Sequence, residues 1–418
     1  MDDETAAPFA RAALMNSVLE PYVAQYCCYL RDRRYAAQTR HIYLGCVAHF
    51  ARWLAAEGLG LEEANEQAGR RFVSTHLPHC DCAPPVRRKP HEVRAALSHL
   101  HRVLRSCGAR AASPPGDTGP IASELTAFDR YMGAVRGLAA STRCQRVRIV
   151  GAFLLGRFGD GPLALADLTT AELRRFVLGT GDDKGRSAGT VRVMVGALRC
   201  YLRFRGLAGD PVGALAEAIP AAAHWRLATL PDVLSPAEID QLLGSFGEAV
   251  PSRKRAYAMV RCLVDLGLRA GEVARLQLDD LDWRAGTLRV AQGKSRRTDL
   301  LPLPVETGRA IADYLRAERP TTTNRAVFVR HVAPYDEPIR ANAVQRAVRE
   351  AYRRCGWTRT RVHTLRHSVA SRLLRQGRPL KEIADVLRHR SLDTSAIYAK
   401  VDDVRLAAVA LPWPGRAE

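Results

Sequence analysis

Nothing in the 418-residue chain approaches the roughly 18 uninterrupted apolar residues that a membrane-spanning helix needs. The first residues, MDDETAAPFARAALMNS, are acidic and hold no apolar core of signal-peptide length. A soluble cytoplasmic protein with no membrane partner is therefore expected. The ten cysteines, including the adjacent Cys27 and Cys28, lack the density of a small secreted scaffold, so reduced thiols are expected. No glycine-rich loop of the phosphate-cradling kind occurs, and no nucleotide cofactor is expected. Negative charge is also in short supply: 63 Lys and Arg stand against 43 Asp and Glu, a formal net charge of +20. The natural partner of such a chain is a polyanion. The basic residues are spread over many segments rather than gathered beside one apolar helix, which favours nucleic acid over a membrane surface.

What is present in quantity is helical patterning, and it repeats. Tyr29 opens YLRDRRYAAQTR and Tyr131 opens YMGAVRGLAASTR; Arg70-Arg71-Phe72-Val73 recurs as Arg174-Arg175-Phe176-Val177. HEVRAALSHLHRVLRSCG, ending at Gly108, lines up with GTVRVMVGALRCYLRFRG, ending at Gly206. The offset stays near 103 residues and then falls to 98, as expected if one connecting loop is shorter in the second copy. Val191, Val195, Leu198 and Leu202 recur at helical spacing with Arg between them. Two bundles of four or five helices follow, over 1–110 and 121–220. AASPPGDTGP, residues 111–120, reads as the linker because it is rich in Pro and Gly and has no apolar period. After a boundary near Pro220, Ser235-Pro236-Ala237-Glu238 has the form of a capping box opening a third domain, 230–418.

Chemistry concentrates in that third domain. GLRAGEVARLQLDDLDW sets Arg269 in a mostly helical apolar pattern, with Glu272 at i+3. TLRVAQGKSRRTDLLPL offers β-type stretches at Leu288–Val290 and Leu300–Leu303 around Gly293, a hairpin with Lys294 near its tip. In VHTLRHSVASRLLRQG, His363 and Arg366 share one face of a largely buried helix, where two cationic groups can grip one anion. His389 precedes Tyr398 by nine residues, with a helix start at Ser391 to Thr394 between them. Taken singly, each has an ordinary alternative: a helix Arg paired with Glu272, a solvated loop lysine, a core tyrosine. Their order argues otherwise.

The succession Arg269, Lys294, His363-x-x-Arg366, His389, Tyr398 resembles the catalytic set of the tyrosine recombinases, or phage integrases, and GLRAGE, HTLRH and LRHRSLDTSAIYAKV resemble that family's boxes. The close resemblance runs from Leu234 onward. Residues from about Ile121 to Pro220 are less specifically similar to the family's core-binding (SAM-like) domain, and the first hundred residues look like an extra copy of it. The implied fold is mainly α: two helical-bundle DNA-binding domains followed by an α+β catalytic domain, mostly helical with a small antiparallel sheet. The resemblance implies a site-specific recombinase that cleaves and rejoins DNA through a 3′-phosphotyrosyl intermediate on Tyr398, without metal or ATP, in the service of a mobile element. It implies that Arg269 and Arg366 neutralise the phosphate and that Lys294 protonates the departing 5′-oxygen. His363 serves as general base or acid, His389 donates a hydrogen bond to the phosphate, and Glu272 orients the arginines. The implied partners are double-stranded DNA, further copies of the chain in a tetrameric synapse, and sibling recombinases.

The remaining signals are weaker. Arg148, Arg192 and Arg199 are candidate phosphate contacts on the second bundle, against the plainer reading of solvated helix faces. His76, His79, Cys80 and Cys82 crowd into HLPHCDC, but no matching pair stands at zinc-finger spacing, so no metal site is expected. PPVRRKP reads as a basic loop facing DNA. DDVRLAAVALPWP suits either a helix docking on a neighbouring protomer or a plain terminal helix. Two other functions fit the same residues: a type IB topoisomerase, and a catalytically silent DNA-binding protein of the same fold.

Overall fold

A computed structural model describes residues 8–84, 86–109, 119–159, 161–179, 186–219, 231–291, 298–335, 337–389, 391, 394–395 and 397–398. The chain divides into two compact units, Met1–Tyr29 with Gln38–Arg226, and Leu30–Ala37 with Leu227–Glu418. The change of unit comes after Arg226. The Pro/Gly-rich stretch 111–118 lies outside the described residues. Among the described residues no helix is long and apolar enough to cross a membrane.

Among the described residues of the first half the regular elements are helices: α1 (Pro8–Leu14), α2 (Val23–Asp32), α3 (Ala37–Ala56), α4 (Glu66–Arg71) and α5 (Pro90–Ser106) precede α6 (Pro120–Ala134), α7 (Ala140–Phe158), α8 (Thr170–Leu178), α9 (Ala188–Leu207) and α10 (Gly213–Ala218). Two aromatic contacts in this half are alike. Phe50 of α3 meets Phe72, just past α4, edge to face at 5.3 Å and 65°. Phe153 of α7 meets Phe176 of α8 at 5.2 Å and 61°, at positions 103 and 104 residues further along. Local chemistry sets the helix starts. Asn65 accepts from the amides of Gln67 and Ala68 ahead of α4, and Thr169 and Glu172 close a reciprocal capping box ahead of α8. Val191, Val195, Leu198 and Leu202 are all buried, so the apolar stripe of α9 faces its core, which also holds Phe128, Met132, Val150 and Leu173.

The second half contains α11 (Pro236–Gly244), α12 (Arg253–Leu266), α13 (Ala270–Val273), strands β1 (Leu281–Asp282), β2 (Thr287–Ala291) and β3 (Thr298–Pro302), then α14 (Val305–Ala317), α15 (Ala341–Arg354), α16 (His363–Arg375) and α17 (Leu380–Val386). The capping box is formed as the sequence suggests: Glu238 N donates to Ser235 Oγ (3.2 Å) and Ser235 N donates to Glu238 Oε2 (2.7 Å), with Pro236 in the first turn. Helix α12 is the centre of this half, packing against α14, α15 and α16 through Met259, Cys262, Leu263 and Leu266. The three strands form one antiparallel sheet in the order β1-β2-β3, with Leu288 opposite both Leu281 and Leu301. Leu288, Val290 and Leu301 turn inward, the period-two burial of a sheet with one covered face. The tip between β2 and β3, including Gly293 and Lys294, lies outside the described residues, as does 402–414.

Candidate active site

The site begins where α12 ends. Gly267 takes a left-handed conformation (φ 59°) and closes the helix, and an added Cβ would lie 2.7 Å from Leu387 Cδ2. The expectation of a helical pattern running through Arg269 is therefore corrected. Arg269 is extended (φ −78°, ψ 149°) and sits one residue before α13, because the glycine breaks the run of Leu263, Leu266 and Leu268. From there its amide donates to Glu272 Oε2 (2.8 Å) and its Nη1 to Glu272 Oε1 (2.7 Å). Arg269 remains 39% exposed in its side chain, which leaves it able to meet a ligand.

Glu272 is only 4% exposed and holds a second cation, Arg388, whose Nη2 donates to Oε2 at 2.9 Å. Burial pushes the Glu272 carboxyl up, but Arg388 and Arg269 more than offset this, and it sits below its ordinary value. Arg388 is not among the residues that the sequence points to. It occupies a left-handed conformation (φ 54°) costly for a residue with a Cβ, and its side chain is 1% exposed. Its partner lies 116 residues away, so no local pattern announces the role.

Helix α16 brings the next groups, and its burial is as expected. Arg366 is 6% exposed; Nη1 donates to Gly267 O at 2.5 Å and Nη2 to Leu387 O. These bonds tie α16 to the end of α12 and the end of α17. Burial and the nearby guanidinium groups of Arg269 and Arg388 pull Arg366 down to about 9, still charged at neutral pH. His363, one turn earlier, is also lowered, by burial and then by Arg366 and Arg269. Arg269, Arg366 and Arg388 thus stand around Glu272, an excess of positive charge that an anion would relieve.

Tyr398 is 2% exposed and packs against Val369, Ala370, Leu374, Ile383 and Leu387. Thr394, Ile397 and Tyr398 take 3-10 helical form, a tighter winding than the α-helix, with Thr394 N donating to Ser391 O and Tyr398 N to Ser395 O, while 392–393 and 396 lie outside the described residues. Burial raises its phenol, and Arg366 and Arg269 act in the opposite direction. Its hydroxyl is 2.9 Å from Nδ1 of His367, the last residue of HTLRH, which has no role in the set that the resemblance implies. His367 is lowered by burial, His363 and Arg366. His389 lies with its ring parallel to that of Tyr398 (6.3 Å, 11°), and its Nδ1 shares a 2.7 Å hydrogen bond with Ser395 Oγ. Burial and then Arg366 and Arg269 lower His389 to about 4.

Arg269, Glu272, His363, Arg366, His389 and Tyr398 thus belong to one constellation, while Lys294 lies outside the described residues. Arg148 and Arg192 are exposed on α7 and α9. Arg199 differs: its Nε and Nη2 donate to the carbonyls of Ala216 (3.1 Å) and Ile219 (2.9 Å), closing the end of α10.

Comparison with known proteins shows the family to which the chain belongs. The phage integrase family matches residues 232–405. The chain is 37% identical to "Putative integrase/recombinase y4rA" of Sinorhizobium fredii over 99% of this chain and 98% of that protein. It is 31% identical to the tyrosine recombinase XerA of Pyrococcus furiosus over 52% of this chain and 72% of XerA. In fold it is similar to a lambda integrase tetramer bound to a Holliday junction, with a TM-score of 0.53, 17% identity, and coverage of 77% of this chain and 90% of that one.

Proposed function

Because the chain belongs to the phage integrase family and is a tyrosine-type site-specific recombinase, we propose that Tyr398 is the residue with which it cuts and rejoins double-stranded DNA. The observation that carries this reading is the placing of a buried phenol beside a neutral imidazole and under the influence of Arg269 and Arg366. A phosphodiester entering the site brings the negative charge that these guanidinium groups lack, and bidentate contacts become stronger as charge builds on the phosphoryl oxygens. Fixed cations can do this work without a metal.

Tyr398 Oη attacks phosphorus and the bond to the 5′-oxygen breaks, leaving a 3′-phosphotyrosyl link. The phenolic proton passes to His367, whose Nδ1 is already in reach, so His367 takes the base role that the family resemblance gave to His363. His363 then serves beside Arg366 at the phosphate. In the tautomer in which Nδ1 accepts from Ser395 Oγ, neutral His389 carries its proton on Nε2 and can donate it to a phosphoryl oxygen. Lys294 supplies the proton that the departing 5′-oxygen takes up. The new ester retains the bond energy of the old one, so a 5′-hydroxyl from a second strand reverses the step without ATP.

The two helical groups before residue 220 act as DNA-binding domains, with Arg148 and Arg192 on phosphates and Arg199 kept for the end of α10. Four copies on two sites form the synapse, alone or beside sibling recombinases. The extra helical domain favours integration, excision or transposition of a mobile element.

Wild-type protein and Tyr398→Phe are incubated with a nicked suicide duplex carrying the element's own end and scored for a protein–DNA adduct on a denaturing gel. An adduct from wild type alone is expected. An equal adduct from Tyr398→Phe would remove the nucleophile assignment, and binding without any adduct would favour a silent DNA-binding role.

A further inference from the structure

Four side chains in the N-terminal helical region are gathered in a way that recombination chemistry does not use. His49 comes from the middle of α3 and is 1% exposed. His76 ends a single π-type turn, Phe72–His76, that follows α4, and Cys80 and Cys82 stand on the loop beyond it. His49 Nε2 is 3.3 Å from His76 Nε2 and 3.4 Å from Cys80 Sγ, and Cys82 Sγ is 3.5 Å from His76 Nε2. All four donor atoms lie within 4.8 Å of one another. Bond lengths of about 2.0–2.1 Å to nitrogen and 2.3 Å to sulfur place the corners of a tetrahedral zinc site roughly 3.3–3.8 Å apart. The three contacts of 3.3, 3.4 and 3.5 Å fall in that interval.

The orientation of His49 points the same way. Its Nδ1 is 2.9 Å from the carbonyl oxygen of Arg87, and a carbonyl can only accept, so Nδ1 carries the proton. In the neutral ring Nε2 then holds a lone pair directed into the cluster, the tautomer that a metal ligand requires, fixed by a backbone carbonyl as is usual around bound zinc. Cys80 and Cys82 are free thiols. Two imidazoles and two thiolates suit zinc and disfavour the hard cations that prefer oxygen.

We propose that His49, His76, Cys80 and Cys82 bind one structural Zn2+. This reverses the expectation of no metal site. HLPHCDC had no partner pair at finger spacing because the fourth ligand comes from α3, 27 residues before His76, while His79 of the same string is exposed and outside the cluster. Binding releases one proton from each cysteine and leaves a neutral centre. The ion joins α3 to the π-type turn at the edge of the aromatic group formed by Phe50, Trp53 and Phe72. It also holds the basic loop, since Arg88 Nη2 donates to Cys82 O (3.1 Å) and Arg52 Nη1 to Ala83 O (3.3 Å).

The full chain, purified without chelator and dialysed against metal-free buffer, is assayed for zinc by mass spectrometry. About one zinc per chain is expected, falling to less than about a tenth in Cys80→Ser/Cys82→Ser and unchanged in His79→Ala. Because the double variant can fail to fold, wild type stripped of metal is also titrated with Co2+. Intense visible bands of tetrahedral cobalt with a thiolate charge-transfer band are expected. Wild type that neither retains zinc nor gives the tetrahedral cobalt spectrum would overturn the proposal, as would zinc retained in full by the double cysteine variant.

Discussion

His367 and His363 lie on the same face of α16, yet it is His367 that stands 2.9 Å from the Tyr398 hydroxyl. A positioned base contributes about 10²–10⁴-fold to rate, so His367→Ala should slow adduct formation on the suicide duplex by that order while leaving DNA affinity unchanged. An unaltered rate would return the base role to His363. Burial, and then the same crowd of cations, has a consequence for pH. His389 falls to about 4 in the fold, against the ordinary histidine value near 6.5. Between these two values the unfolded chain binds the extra proton and the native one does not, so the contribution is present above about pH 6.5 and lost as the pH falls toward 4. Denaturant unfolding across that window should show stability rising with pH, and His389→Gln should flatten the slope. A variant with the wild-type slope would mean that other groups set it.

At the scale of elements, the site depends on how α12 stops. Gly267 supplies both the left-handed turn and a carbonyl for Arg366. Gly267→Ala adds a Cβ in a conformation that disfavours one, at about 1–2 kcal/mol, and drives it against Leu387. We expect a stability loss of at least that size in denaturant unfolding, together with slower cleavage; unchanged stability would show that the turn is not strained. Features set by neighbours in sequence were legible beforehand. The buried stripe of α9 follows from apolar spacing, the Ser235 cap from residue type, and the pairing of β2 with β3 from two β-type stretches around Gly293. What the sequence hid depends on distant pairing: Arg388 on Glu272 and His49 beside His76 have no local signature. Arg269 was set in a helix because the leucines on both sides of Gly267 share a period that the chain itself interrupts.

Across the whole molecule, the surplus of positive charge only becomes meaningful when free cations are separated from occupied ones. A net charge of +20 favours any polyanion, but an arginine committed to the protein's own carbonyls releases no counterion from DNA. Arg148 and Arg192 are exposed, whereas Arg199 is bonded to Ala216 O and Ile219 O. For contacts to duplex phosphates, log affinity falls against log salt with a slope of about 0.9 per contact. Removing Arg148 and Arg192 together should therefore reduce the slope by about 2, uniformly across DNA sequences, because phosphate contacts carry no base information. Arg199→Ala should leave the slope intact and instead lower the unfolding midpoint, since two carbonyls at the end of α10 lose their donor. Binding isotherms at several salt concentrations, read beside unfolding curves of the same variants, separate the two kinds of arginine. A slope reduced by Arg199→Ala as much as by either exposed arginine would place Arg199 on DNA after all, and would require α10 to release it on binding.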